Sequence, residues 1–399
     1  MGLIPRISGS GAAPAAALVL ACALIALAVP AMGDYEHELL PAVHAILGGD
    51  PSAFAAAAPL YGASFWPRLP FALLADALGG SDLAIYRAGV FAVLLVLAAL
   101  LLWLARAMRR AGRPPAEVAA LLLTLLAAPV VLRALRDGHP EDVLAGTLAV
   151  GAVLLALHAR PALAGAALGM AVASKPWAVL AGGPVLLAAE DRRVLLCASA
   201  AGAALLAAAP LVLLASSRSA GHATTLTQSN WIFHPQQLLW PLGERHANGG
   251  VVAPDGLVRL VRPLIVGLGA CLSVAWALRR RSTGAPAHDA LLLLAVLLLV
   301  RCAIDPWNNA YYAVPAVLAL GTWEALGRRG LPVLAISVTA LTWLSFVRLP
   351  MYLGQDGLAL AYAAWLVPLL LVLGAALYAP GLTSSATAAR RSSGSTATP

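Results

Sequence analysis

Residues 83–105 read LAIYRAGVFAVLLVLAALLLWLA and are followed at once by RAMRRAGR at 106–113. About 20 apolar residues carry a helix across a bilayer core of roughly 30 Å, and a cluster of arginines marks the cytoplasmic side of such a span. The run is far too long for a barrel strand, and backbone groups in lipid must pair within their own segment, so the segment is a helix. Working outward, similar apolar runs recur near 12–32, 116–134, 141–157, 162–174, 177–189, 194–214, 262–278, 287–303, 309–326, 331–347 and 358–378. The fold class is therefore an all-α polytopic transmembrane bundle of about 12 spans, with 10 to 13 compatible with the pattern. Residues 1–380 form one transmembrane domain, and the Ser/Thr/Ala-rich segment 381–399 reads as a disordered cytoplasmic tail.

Composition agrees: of 399 residues, 61% are apolar and 11% charged. The formal net charge of +8 does not indicate nucleic acid, because the basic residues are scattered through short loops. They report topology instead. With the N-terminus in the cytoplasm, the inner side takes 15 of the 26 basic residues but 5 of the 18 acidic ones, placing both termini inside a plasma membrane. A cleavable signal is the alternative reading of the first run, since Arg6 precedes it and Val29, Pro30 and Ala31 resemble a cleavage site. Cys22, Cys197, Cys271 and Cys302 lack metal-ligand spacing and read as packing residues.

Two long loops face outward, at 33–82 and 215–261. In the first, Leu39, Leu40, Val43, Ile46 and Leu47 are spaced for a surface helix over 35–47 that Gly48 and Gly49 end, and a second helix is expected after Pro67. In the second, Gln228, Asn230 and His234 lie in TTLTQSNWIFH, offering neutral hydrogen bonds beside aromatic faces that suit a sugar; an interfacial linker with a tryptophan belt is the plainer reading.

Four polar groups map to the outer side. Asp34 opens DYEHE with Glu36 and His37, and a carboxylate partly desolvated there can have its pKa raised and serve as a general base; alternatively these acids cap the surface helix. The stretch LRDGHPEDV, 135–143, joins His139, Glu141 and Asp142, with Arg133 and Arg136 just before. It reads as a helix start with dipole-matching acids, and His139 three residues from Asp142 also leaves a divalent cation open. Lys175 is the only lysine against 25 arginines and suits an anionic phosphate, or it snorkels from a span end. RCAIDPWNNAYY, 301–312, sets Arg301 beside Asp305, Asn308 and Asn309. Together the four predict one cavity at the outer interface.

This arrangement resembles the GT-C superfamily of polytopic glycosyltransferases, and within it glycosyltransferase family 87, relatives of polyprenol-phosphate-mannose-dependent α-(1→2) mannosyltransferases. Asp34 after the first span, ILGGDPSAF (46–54), GHPED (138–142), RPALAGAALGMAVASKPWAVL (160–180) and DPWNNAYY (305–312) carry the resemblance. The chain departs from the family where GHPED replaces a frequent Gly-Gln, and near Asn308 and Asn309, where a His is common. The resemblance implies transfer of a sugar, mannose first, from a polyprenyl-phosphate donor to a glycan or glycolipid hydroxyl, with inversion and no cofactor or metal. It gives Asp34 as base, Lys175 with Arg133, Arg136 or Arg301 on the phosphate, and Glu36, His37, His139, Glu141, Asp142, Gln228, Asn230, His234, Asp305, Asn308 and Asn309 around sugar and acceptor. Membrane lipids are the remaining partners. A transporter or flippase, or an inactive envelope-assembly scaffold of the same fold, is the rival; clustering of polar groups at one surface favours an interfacial enzyme over a midplane transport site.

Overall fold

A computed structural model describes residues 12–59, 62–214, 233–247, 249–283 and 286–379. Gln228, Asn230 and the segment 381–399 lie outside the described residues. The fold is all-α, with one two-stranded antiparallel hairpin pairing Glu244–Arg245 with Val251–Val252. Each predicted span has a helix at its place. Among the described residues, six helices are long and apolar enough to cross a membrane: Asp82–Arg110, Pro115–Arg136, Pro140–Leu157, Asp255–Ser282, Val333–Met351 and Gln355–Tyr378. Ala12–Ala28, Pro161–Ser174 and Pro176–Ala188 are apolar but shorter.

In chain order the elements leading to the site are α1 (Ala12–Ala28), α2 (Tyr35–Glu38), α3 (Leu40–Leu47), α4 (Pro51–Ala57), α5 (Leu69–Ala77) and α6 (Asp82–Arg110). Then come α7 (Pro115–Leu126), α8 (Pro129–Arg136), α9 (Pro140–Leu157), α10 (Pro161–Ser174), α11 (Gly182–Ala188) and α12 (Arg192–Leu214). Prolines set several boundaries. The surface helix expected over 35–47 is split at Leu39, because Pro41 has no N–H to donate back to the preceding turn. The span at 115–136 is likewise broken into α7 and α8, where Pro129 holds Ala128 extended at ψ 136°.

The middle of the bundle is formed by Asp289–Ile304 and Val314–Gly327, apolar on every side; all residues from Ala290 to Leu299 are at most 4% exposed. Helix α9 packs beside Val314–Gly327, with Gly146 against Pro315. Helix α10 lies close on α12: a Cβ added at Gly165 or Gly169 would fall 2.2 or 2.0 Å from the carbonyls of Leu195 or Ser199. The two ends of the bundle differ chemically. At one end arginines staple helix C-termini, Arg113 on the carbonyls of Arg328 and Gly330, and Arg280 on that of Leu187. Glu324 there accepts from the N–H groups of Leu334 and Ala335, capping the next helix.

At the other end two loops cross at backbone contact. Asp34 donates its N–H to the Asp137 carbonyl at 2.9 Å. Gly33 (φ +53°) and Gly138 (φ +93°) make this possible: a Cβ on Gly33 would sit 2.3 Å from the Asp137 carbonyl carbon, and one on Gly138 2.4 Å from the Met32 oxygen. Gly79, by contrast, has φ +72° with nothing within 4 Å. Gly79→Ala should therefore lower unfolding stability by about 1 kcal/mol from backbone strain alone, and Gly138→Ala by roughly twice that or more. Denaturation in detergent compares the two, and equal losses would contradict the crossing.

Candidate functional site

The crossing brings Asp34 to the first turn of α9. His139 occupies the N-cap position of α9 with no side-chain cap bond, and Pro140 fills the first turn, where a missing N–H costs nothing. The imidazole instead bridges two acids: Nε2 lies 3.0 Å from Asp34 Oδ2 and Nδ1 2.9 Å from Glu141 Oε1. Carboxylates only accept, so the geometry puts hydrogen on both ring nitrogens. The ring stacks on Tyr311 with centroids 4.4 Å apart. Lys175, at the extended C-cap of α10, places Nζ 3.1 Å from the same Glu141 oxygen and 3.3 Å from Asp142 Oδ2. Trp177 Nε1 donates to Asp142 Oδ1 at 2.8 Å.

The chain of charges continues. Arg301 lies under the Tyr312 ring at 3.9 Å and near Trp177 at 5.2 Å, with Asp305 3.6 Å from its Nε. Its buried Nη1 has no hydrogen-bond partner among the described residues. Asp34, Glu141, Asp142, Lys175, Arg301 and Asp305, predicted to meet from four parts of the chain, therefore form one connected cluster with His139. Exposure is graded: the Glu141 side chain is 1% accessible, His139 6%, Lys175 13% and Asp34 62%. Asp34 is the member that reaches solvent.

The cluster corrects several expectations. A raised pKa was expected for Asp34, but the hydrogen bond from His139 lowers it, outweighing partial burial. Nor does Asp34 cap α2, having no side-chain cap bond there. Burial disfavours charge on His139, but the bonds to Asp34 and Glu141 win and push it up to about 9. His139 pairs with Glu141 rather than Asp142, and neither of its nitrogens is left for a sugar. Lys175 does not snorkel; it is an inward ion pair. Arg133 is tied to Asp137 one turn on, and Arg136 is exposed at the end of α8, so neither is drawn into the cluster. Asn308 is a buried clamp donating to the Gln236 carbonyl and the Tyr362 hydroxyl, because it anchors the loop 233–243 on the bundle. Asn309 accepts from the Ala310 N–H and caps a short 3-10 turn. Glu36 and His37 are exposed on α2, and the half-buried His234 holds the Pro306 carbonyl through its backbone N–H. Trp177, Tyr311 and Tyr312 are participants that the sequence did not mark; for the two tyrosines, aromatic residues at a membrane interface need no special explanation.

His139, Glu141 and Asp142 offer ligand atoms within 4.8 Å of one another, a set open to a hard divalent cation. Lys175 Nζ lies within ion-pair distance of two of these groups, Glu141 and Asp142.

The sequence model of glycosyltransferase family 87 matches residues 68–306, more than half of the chain. The chain belongs to glycosyltransferase family 87. The match takes in His139, Glu141, Asp142, Lys175, Arg301 and Asp305 and leaves Asp34 outside. No protein of curated function matches this family 87 chain. With its apolar helices, the protein is a membrane glycosyltransferase.

Two outcomes follow from the charges. Lys175→Met removes the ammonium shared by two buried carboxylates and should cost about 3 to 5 kcal/mol of stability in detergent. His139 has a folded-state pKa above its ordinary 6.5, so its contribution is complete below that pH and is lost as pH rises through about 9. Thermal unfolding of the wild type should weaken across that window, and His139→Gln should remove the dependence.

Proposed function

We propose that this membrane glycosyltransferase moves a sugar, mannose first among candidates, from a polyprenyl-phosphate donor to a hydroxyl of a cell-envelope glycan or glycolipid, with inversion at the anomeric carbon. One observation carries the reading: an exposed carboxylate and a buried guanidinium with an unpartnered nitrogen belong to one cluster at one end of an apolar bundle. Asp34 removes the acceptor proton as the oxygen attacks the anomeric carbon in line. The bond from that carbon to the phosphate oxygen breaks, and its electron pair leaves with the lipid phosphate. Arg301, close to the rings of Tyr312 and Trp177, meets the leaving anion. Lys175 is committed to two carboxylates, so its first task is to hold Glu141 and Asp142 in place. Glu36, His37 and Asp305 remain candidates for sugar and acceptor hydroxyls. A lipid phosphate leaves as a stabilised anion, so this route requires no metal.

A lipid donor is supported by an apolar groove of about 340 Å³ between the helical segment after Trp177 and Asp255–Thr283. Val179, Leu180, Gly183, Gly269, Ala270 and Ser273 are among its lining. It begins two residues beyond Trp177, whose ring neighbours Arg301, so a tail lying there keeps its phosphate at the guanidinium. The arginine-stapled end lies opposite the cluster, which supports cytoplasmic termini and an extracytoplasmic site in the plasma membrane.

Purified protein given radiolabelled polyprenyl-phosphate mannose and envelope glycolipids should form a product of inverted configuration, and Asp34→Asn should abolish transfer while donor binding persists. Full turnover in Asp34→Asn refutes the base. Ala270→Leu, narrowing the groove, should raise KM about tenfold for a long-chain donor through lost burial of a few methylenes, with a farnesyl donor unaffected; equal effects on both refute the tail site.

A further inference from the structure

We propose that His139 is a positioning residue for the transfer: its Nε2–H holds Oδ2 of Asp34, leaving Oδ1 to take the acceptor proton, while Glu141 and Tyr311 hold the ring. This rests on the glycosyltransferase reading and goes beyond it by naming what aims the base.

The argument is geometric. An aspartate with a 62% accessible side chain at a helix start has free rotamers unless something restrains it. Here a ring with a side chain only 6% accessible does so from below. That ring is fixed in three ways: by Glu141 Oε1 at Nδ1, by stacking on Tyr311, and by the glycine crossing that sets the separation of the two backbones. Glu141 is in turn held by Lys175 through the same oxygen. The order runs from Lys175 at the end of α10 through Glu141 on α9 to His139 and out to Asp34, each step within 3.1 Å. Oδ1 of Asp34 has no hydrogen-bond partner among the described residues. In the transfer, the acceptor O–H bond breaks and its proton passes to Oδ1; the new bond joins that oxygen to the anomeric carbon, and the lipid phosphate departs with the old bonding pair. His139 keeps both of its protons throughout and moves none.

The charged and titratable groups facing this imidazole are Asp34 and Glu38 from the segment after α1, Glu141 from α9, Lys175 from α10, and Tyr311 from the turn before Val314–Gly327, with His37 acting on Asp34. The two carboxylates in direct contact are what keep the ring cationic. A cationic ring bonded to Asp34 maintains that carboxylate ionised into mildly acid solution.

The test uses full-length protein in detergent with Asp34→Asn, His139→Gln and His139→Ala. Infrared pH titration, with the Asp34 band assigned by difference from Asp34→Asn, reads the hydrogen bond without any substrate. Turnover with farnesyl-phosphate mannose and octyl mannoside reads its use. The Asp34 titration should move to higher pH in both His139 variants, and the acid limb of the kcat profile should move with it. His139→Ala should lose about 100-fold in kcat, the lower end of what a well-placed base contributes, and His139→Gln, which retains a donor, about tenfold. KM for the donor should stay within about twofold, since general-base positioning acts on the chemical step. An unmoved Asp34 titration overturns the proposal, as does a shifted titration with unchanged kcat. If His139→Ala does not fold, His139→Gln alone decides. Turnover surviving in Asp34→Asn, or no transfer by the wild type, sinks the underlying reading instead, and the infrared result still reports whether His139 holds Asp34.

Discussion

Glu141 places a carboxyl group at the end of an apolar bundle with its side chain almost completely buried, and the rest of the site depends on how that group is paired. A lone buried carboxylate costs several kcal/mol, a large part of any domain's stability. Lys175 and His139 meet it at one oxygen, and they come from different segments of the chain. The compensation is thus a tertiary contact: it exists only when α10, the start of α9 and the loop after α1 are all in place. Charge pairing here orders three segments, and its value is specificity of arrangement more than net stabilisation.

The arrangement separates tasks that a simpler reading would give to one residue. Glu141 and Asp142 hold Lys175 and Trp177, and the cations return the restraint. Asp34 alone reaches outward. Arg301, fixed by two aromatic rings, has one nitrogen uncommitted. In the proposed transfer, charges held in place around an exposed base would lower the barrier without reorganisation at the moment of reaction. The small residues contribute by absence: Gly33 and Gly138 let two backbones touch where any side chain would part them.

Much of the fold was legible because hydropathy in lipid is close to a direct physical readout: apolar runs of the right length had to be helices, and each appears. What the pattern could not show was where helices break. Pro41 and Pro129 divide elements whose apolar periodicity runs through without interruption, since periodicity is blind to a missing donor. The cluster was legible at the level of charge, because polar groups are scarce in such a chain and topology sorted them to one side. Their pairing was not. Asp34 read as a base with a raised pKa because its partner lies 105 positions away, and the opposing effect of an imidazolium cannot be seen from DYEHE. Asn308 read as a sugar ligand because an amide beside Asp305 looks functional; in the fold its nitrogen is spent on the Gln236 carbonyl and the Tyr362 hydroxyl, which the sequence does not show. Tyr311 and Tyr312 read as ordinary interfacial aromatics by a rule that holds on average and fails where a ring has a specific polar neighbour.

The central claim is that residues from four distant segments form one transfer site at one end of the bundle. Cryo-electron microscopy of the protein with a non-transferable phosphonate analogue of polyprenyl-phosphate mannose tests it most directly. The account predicts the phosphonate oxygens within hydrogen-bond distance of Arg301, with the anomeric carbon on the side of Asp34 Oδ1. A headgroup bound at the arginine-stapled end, or out of reach of both residues, would contradict it.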